Sequence, residues 1–257
     1  MRKLVICFFI LFGKFRVFLK DQEIPDKRWK SKKAQMIFKY LLFARCKGYL
    51  KKEVLMELMW PEEDPLKTAK RFHVALASLR KTLEPEISRG TRSAYILRSG
   101  DGYSIDIGDN GTVDIEEFTA ELKLARAENN PEIFIGHYLR AIFLYHGDFL
   151  EEDLYIPWCD EERERFKEDY LSVLAKIIRY YENHKDYPAC IDYAGRYIQA
   201  DKYAENIYQL LMHYYAFIGN KAMVIRMFER CKETMTKDLD VPLSRETEDI
   251  YQKLMVA

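Results

Sequence analysis

The clearest pattern of hydrophobic and polar positions in this chain lies between Leu66 and Leu83. Apolar residues recur there at intervals of four, three and four positions, at Phe72, Leu76, Leu79 and Leu83. This spacing places them on one side of a helix with about 3.6 residues per turn. The other side carries cationic and hydrogen-bonding residues: Lys67, Lys70, Arg71, His73, Ser78 and Lys81. The pattern therefore predicts an amphipathic helix that buries one face in a small core.

Two strands and two further helices are predicted before this helix. The apolar run Leu4 to Phe12 and the alternating stretch Lys14 to Lys20 predict two buried strands of a small sheet. Ser31 is placed to cap the first helix. The apolar face of that helix is formed by Ala34, Ile37, Phe38 and Leu41. A second helix is predicted from Lys51 to Trp60.

A β-hairpin is predicted after the amphipathic helix. Tyr95 to Arg98 and Tyr103 to Ile107 are short runs of β-prone residues. The segment Ser99-Gly100-Asp101-Gly102 joins them, and its Asp-Gly pair predicts the positive φ angles of a tight turn. Three helices followed by a hairpin are the elements of a winged helix, in which the hairpin is the wing.

The second half of the chain contains an internal repeat with a period of 34 residues. Arg179-Tyr180-Tyr181 recurs as His213-Tyr214-Tyr215, and Cys190-Ile191 recurs as Val224-Ile225. Such a period is typical of tetratricopeptide helix hairpins. The pattern predicts seven helices, over residues 114–128, 131–145, 158–184, 187–200, 203–218, 221–237 and 244–254. We expect the abundant tyrosines to pack between these helices, with a concave binding surface as the alternative.

Charge is divided unequally between the two halves, although the whole chain is formally neutral. Residues 1–108 contain 23 Lys and Arg against 12 Asp and Glu, a net charge of +11. Residues 109–257 contain 18 and 29, a net charge of −11. A basic domain suits a polyanion, because each contacted phosphate releases counterions. We therefore predict an α+β winged helix-turn-helix domain over residues 1–108 and an all-α, tetratricopeptide-like repeat domain over residues 109–257.

The candidate DNA-binding residues lie on the amphipathic helix and around the wing. On the helix they are Lys67, Lys70, Arg71, His73, Ser78 and Lys81. Cations and hydrogen-bonding groups together suit the major groove, where phosphates and base edges lie close to one another. Arg89, Arg92 and Arg98 place further cations on the wing and its approach, for the DNA backbone or the minor groove. The alternative interpretation is a solvated amphipathic helix with ordinary solvated arginines nearby.

The sequence lacks the common motifs of catalytic and metal-binding chemistry. It has no glycine-rich phosphate loop of the Walker type, no His-Glu-x-x-His, no Gly-x-Ser-x-Gly and no Cys-x-x-Cys. We therefore expect neither an enzyme nor a bound metal or cofactor. The spacing of the five cysteines predicts free thiols in a reducing cytoplasm. The N-terminal apolar run is too short to span a bilayer and lacks a small-residue cleavage site, so we expect a cytoplasmic chain with no membrane partner. Met1 and the predicted first sheet favour a whole chain, with the end of a longer regulator as the alternative.

Seven segments of the chain resemble a known family of regulators. SKKAQMIFKYLLF, KKEVLMELMWPEEDP, RFHVALASLRKTLE and SGDGYSIDI resemble the OmpR-type winged helix of Streptomyces antibiotic regulatory proteins (SARPs). HYLRAIFLYHGDFLEED, WCDEERERF and DLDVPLSRETEDIYQKL resemble the bacterial transcriptional activator domain. Two residues depart from the pattern: Lys51 stands where the family often has a hydroxyl cap, and His73 where the response-regulator branch often has Asp.

The resemblance implies a role for each half of the chain. It implies that the third helix enters the major groove of double-stranded DNA, where the contacts are made by Lys70, Arg71, His73, Ser78 and Lys81. For the second half it implies contact with RNA polymerase or self-association into a homo-oligomer. The favoured function is thus a transcription activator. The alternatives are a protein-interaction adaptor whose winged helix no longer binds DNA, and a hydrolase, which would need a pocket of convergent polar groups.

Overall fold

The computed structural model describes residues 7–20, 22–88 and 90–256, and its contacts divide the chain into two compact units after Glu117. Residues 4–6 of the first predicted strand and Arg89 lie outside the described residues. In chain order the first unit contains β1 (Cys7–Ile10), β2 (Arg16–Leu19), β3 (Gln22–Glu23), α1 (Lys32–Phe43), β4 (Leu50–Lys51), α2 (Lys52–Met59), α3 (Pro65–Leu83), β5 (Ile96–Ser99), β6 (Gly102–Ile105) and β7 (Thr112–Val113). The division between the units falls within α4 (Asp114–Ala127).

The strands of the first unit form two small sheets. One has the order β3-β2-β1-β7, and the other has the order β4-β6-β5. β1 and β2 are antiparallel, with Cys7 opposite Leu19, so the two predicted strands are confirmed within the described residues. β7 runs parallel to β1 and was not predicted.

Local sequence explains where the three helices of the first unit begin. The Ser31 hydroxyl accepts a hydrogen bond from the N–H of Ala34 at 3.2 Å and caps α1, as predicted. The Asp64 carboxylate caps α3 by accepting from the N–H of Leu66 at 2.7 Å, and Pro65 takes the first helical position, where its missing N–H costs little. Lys51 provides no side-chain cap for α2. The N–H of Lys52 instead donates to the carbonyl oxygen of Asp101 in the hairpin turn, at 2.9 Å.

An apolar seam binds α3 to the core of the first unit. Its members are buried, as their periodicity predicts: Phe72, Leu76, Leu79 and Leu83. The Phe72 ring packs edge-on against the Tyr103 ring of β6, with 5.3 Å between the ring centroids. This contact places α3 beside the hairpin and leaves the opposite face of the helix exposed.

The hairpin is confirmed, but its turn differs from the prediction. β5 and β6 pair from Ile96 opposite Ile105 to Ser99 opposite Gly102. The turn therefore consists of Gly100 and Asp101, and Gly100 supplies the positive φ of +57°. The prediction that the Asp101-Gly102 pair supplies it was wrong, because Gly102 is already paired in the ladder.

The first unit extends beyond Gly108 because the chain returns there to the first sheet through β7. Asp114, directly after β7, is 1% exposed. Its carboxylate accepts hydrogen bonds of 2.8 to 3.0 Å from the N–H groups of Leu11, Phe12 and Ile115. Burial raises the pKa of Asp114 to about 7, while these donors act in the opposite direction. Asp114 thus joins the end of β1 to the start of α4.

The second unit is helical throughout its regular structure. After α4 it contains α5 (Pro131–Leu144), α6 (Pro157–Asn183), α7 (Tyr187–Ala200), α8 (Glu205–Phe217), α9 (Lys221–Glu233) and α10 (Arg245–Val256). α7 begins 34 residues before α9, so the sequence period corresponds to a helical repeat. The seven predicted helices are confirmed. α9 ends earlier than predicted, because a π-helical turn at Thr234–Asp238 follows it.

Aromatic side chains pack between the helices of the second unit, as expected. Tyr145 and Tyr170 stack with 4.1 Å between their ring centroids. Phe228 and Tyr251 stack with 3.9 Å between theirs. Tyr208 and Tyr214 are fully buried. Stacked rings therefore contribute much of the contact between successive helices.

Replacing Asp114 with alanine is expected to lower the free energy of unfolding of the first unit by at least about 3 kcal/mol, because three buried N–H groups lose their acceptor. Urea titration measures the change. Asp109→Ala is the control, since it removes an exposed carboxylate from the preceding loop and should change stability by less than about 0.5 kcal/mol. Equal effects of the two substitutions would contradict the role given to Asp114.

Candidate nucleic-acid interface

The exposed face of α3 carries the candidates predicted from the sequence. Burial of the apolar seam turns this face outward along a helix of 19 residues, which is about 28 Å long. Five of the six candidate side chains are exposed, namely Lys67, Lys70, Arg71, His73 and Lys81. Ser78 is half-buried. The structure therefore brings all six predicted residues of the helix to one surface.

Two of these cations are held by contacts within the first unit. Arg71 forms an ion pair with Glu63, in the loop that precedes α3. Lys81 donates to the carbonyl oxygens of Pro85 at 2.7 Å and of Ile87 at 3.3 Å. Because the side chains of Arg71 and Lys81 are exposed, an incoming anion can replace these partners. Neither contact removes the cation from the surface.

A basic cleft lies between α3 and the hairpin. It has a volume of about 580 Å³, and its lining includes Arg80, Arg92 and Arg98. The Nε of Arg98 donates to the carbonyl oxygen of Gly100 at 2.9 Å, which holds the guanidinium near the turn. Arg80 was not predicted as a contact residue. Its Nε is buried and has no hydrogen-bond partner among the described residues.

His73 lies in the positive field around this cleft. The pKa of its imidazole is lowered, first by partial burial and then by repulsion from Lys52, Arg98 and Arg80. These three cations come from three different elements, α2, β5 and α3. Cations gathered on one surface from separate elements raise its positive potential and attract anions.

The structure adds three residues that the sequence did not indicate. Val74 lies on the exposed face of α3 with 65% of its surface exposed. An apolar side chain at such a position suits the methyl group of thymine. A second cleft, of about 530 Å³, is lined by Arg28 and Lys30 together with Ser78 and Lys81. Val74 is apolar, so a search for polar residues does not find it. Arg28 and Lys30 are distant from α3 in the sequence and come close to it only when the unit is folded.

The side chains on this surface are lysine, arginine, histidine and serine, which bind anions and donate hydrogen bonds. Among the described residues, no group of three His, Cys, Asp or Glu side chains is placed to hold a metal ion. Within the residues that the structure describes, no helix has both the length and the hydropathy needed to cross a membrane.

A comparison with protein families places the chain among transcription regulators. The family model of the bacterial transcriptional activator domain matches residues 113–255, which is more than half of the chain. The chain therefore belongs to the bacterial transcriptional activator domain family. This match confirms the SARP-type regulator predicted from the sequence motifs.

Among solved structures, the chain is similar to Mycobacterium tuberculosis EmbR, whose structure was determined in complex with a low-affinity phosphopeptide. The two are 18% identical with a TM-score of 0.68, and the similarity covers 98% of this chain but 65% of the EmbR chain. The likeness confirms the predicted fold, a winged helix followed by a helical repeat. The family is one of transcription regulators and not of enzymes. No curated protein matches the chain.

Replacing Arg98 with glutamine is expected to raise the pKa of His73, because one repelling cation is lost. A pH titration of the His73 ring resonances by NMR measures the shift. Arg92→Gln is the control, since it removes a cation from the same cleft that does not contribute to the shift of His73. An unchanged or lower pKa in Arg98→Gln would contradict the arrangement described here.

Proposed function

We propose that the protein is a sequence-specific DNA-binding transcription activator that contacts double-stranded DNA through α3 and the β5–β6 hairpin. Membership of the bacterial transcriptional activator domain family supports the regulatory role. The observation that carries DNA binding is the exposed cationic face of α3, which continues into a basic cleft on either side. The proposed domains are residues 1–108 for DNA binding and residues 109–257 for activation.

The proposed mechanism assigns different tasks to different residues of this surface. Lys67, Lys70 and Lys81 contact phosphates and supply affinity that does not depend on sequence. The remaining residues of the exposed face select the sequence by contact with base edges: Arg71, His73, Val74 and Ser78. Arg92 and Arg98 bring the wing to the backbone or the minor groove and fix the register.

The helical repeat serves activation in this proposal. Its surface contacts RNA polymerase, a role that the activator family of this domain supports, or it contacts a second copy of the chain. Residues 109–257 have a net charge of −11, so they do not compete with residues 1–108 for DNA. These events take place in the cytoplasm.

The alternative function is a protein-interaction adaptor whose winged helix does not bind DNA. One observation favours it: Arg71 and Lys81 already have partners in the first unit, Glu63 and two backbone carbonyl groups. Lys67 and Lys70 argue against it, because they form no ion pair with any other described residue. Three cations of this helix face, Lys67, Lys70 and Lys81, form no ion pair with another described residue, and such a face fits a polyanion better than a neutral protein surface.

The test is a titration of a fluorescent duplex of random sequence with the full chain, followed by anisotropy at several salt concentrations. The logarithm of the binding constant should fall with the logarithm of the salt concentration with a slope steeper than about −3, since each phosphate contact adds about −0.9. Replacing Lys67 and Lys70 with glutamine should reduce the slope by about 2. Glutamine at the exposed Lys232 and Lys253 of the second unit is the control. No binding even at low salt would contradict the proposal and favour the adaptor.

Glu63→Gln is expected to strengthen DNA binding by about two- to fivefold, because Arg71 no longer has to leave an ion pair. Glu62→Gln is the matched control, since it removes the same charge from the preceding residue, which forms no ion pair in the described part of the chain. Anisotropy titrations compare the two variants. If both gain equally, net charge alone explains the effect, and the contact between Arg71 and DNA is refuted.

A further inference from the structure

A groove in the second unit is lined by residues of α4, α5 and α6 and of the turn between α4 and α5. Its volume is about 600 Å³. Pockets that bind small molecules typically measure about 300 to 1,000 Å³. The proposed DNA contacts lie on the first unit and do not use this groove, so it requires an explanation of its own.

Aromatic rings form one wall of the groove. Phe134 of α5 packs edge-on against Tyr180 of α6, with 6.3 Å between the ring centroids, and against Tyr138 with 5.9 Å. The Tyr180 ring also lies 4.3 Å from the ring of His184. Phe134 and Tyr180 are only half-buried, so apolar ring surface remains open to the groove. Such a wall suits a planar apolar body.

Cations line the groove beside these rings. Lys176 and Arg179 of α6 are exposed, and neither forms an ion pair with another described residue. The Nζ of Lys176 lies 5.2 Å from the centre of the Tyr138 ring. Arg126 adds a third cation, and its guanidinium donates to Asp169 at 2.8 Å.

Acidic residues are in excess elsewhere in this unit, which makes the cationic groove unusual. Residues 118–257 contain 25 Asp and Glu against 18 Lys and Arg. Among the described residues that line the groove, however, Glu128 is the one acidic residue. Its carboxylate accepts hydrogen bonds from the N–H groups of Asn129 and Asn130 at 2.8 Å each. Lys176 and Arg179 therefore have no neutralising partner in the groove, and an anion would complete it.

We propose that this groove binds a small organic anion with a planar aromatic body, such as an aromatic carboxylate. The ring would lie on Phe134 and Tyr180, and the carboxylate would meet Lys176 and Arg179. The volume of the groove matches one drug-sized molecule, which favours a small ligand over a peptide. This inference is independent of DNA binding, because it rests on residues of the second unit alone.

The experiment is a calorimetric titration of the full chain with 2-naphthoate and with 2-naphthamide, which has the same ring system without the charge. We expect 2-naphthoate to bind at one site, and 2-naphthamide to bind at least about fivefold more weakly. The double variant Lys176→Gln and Arg179→Gln should lose about tenfold in affinity for 2-naphthoate, because two cations that hydrogen-bond the carboxylate are lost. Arg226→Gln, an exposed arginine of α9, is the control and should bind as the unaltered chain does.

The location of binding is checked by NMR of the full chain, in which the backbone amides of Asn183 and His184 should shift on addition of 2-naphthoate. Circular dichroism verifies that the substituted chains are folded. Any of four results would overturn the proposal: no binding of 2-naphthoate at millimolar concentration, equal binding of the neutral amide, full binding by the double variant, or shifts confined to other helices. Binding of an acidic peptide without binding of 2-naphthoate would also overturn it.

Discussion

The packing of the apolar seam of α3 against the core of the first unit is the interaction on which the proposed DNA-binding surface depends. Phe72 is at its centre, in edge-on contact with Tyr103 of the hairpin. This contact brings α3 beside the hairpin, and burial of the seam as a whole determines which side of the helix faces outward. Lys70, Arg71 and Val74 are available to a partner because Phe72 and Leu76 are not. Packing of the hydrophobic core therefore determines where the polar side chains of α3 lie on the surface.

A surface built in this way carries an electrostatic cost when DNA is absent. The pKa of the His73 imidazole is lowered first by partial burial and then by repulsion from nearby cations, which include Arg98 and Arg80. Glu63 and the carbonyl groups after α3 partly offset this repulsion by pairing with Arg71 and Lys81. These partners are weak and exposed, so they exchange readily for phosphates. In the proposed function, the same contacts that stabilise the free protein hold its cations in place for DNA.

Much of this organisation is predictable from the sequence because it depends on local patterns. The periodicity of α3 and the cap at Ser31 depend on residues a few positions apart, the 34-residue repeat recurs along the sequence itself, and each is confirmed. The parts that could not be predicted depend on residues far apart in the chain. β7 joins β1 across about 100 residues, and the peptide N–H of Lys52 at the start of α2 is paired by the hairpin turn. The turn itself was misplaced by one residue, since pairing in the ladder rather than the Asp-Gly pattern decided which glycine bends the chain.

The candidate site also has a part that is predictable from the sequence and a part that is not. The sequence predicts which residues share the polar face of α3, but it does not show that Arg28, Lys30 and Arg80 join them. Those residues approach α3 or the hairpin only when the first unit folds. Val74 could not be predicted for another reason. Single exposed apolar residues are common on protein surfaces, so Val74 becomes a candidate only once its position on the exposed face of α3 is known.

The central claim is that the exposed face of α3 lies against DNA, and photo-crosslinking tests it most directly. A photoreactive phenylalanine analogue is placed at position 74, and at the similarly exposed position 124 of α4 in a second protein sample. Both samples are irradiated with a labelled duplex at low salt. The account predicts crosslinks to DNA from position 74 and none above background from position 124. Equal yields from both positions, or no crosslink from position 74 while DNA is bound, would contradict it.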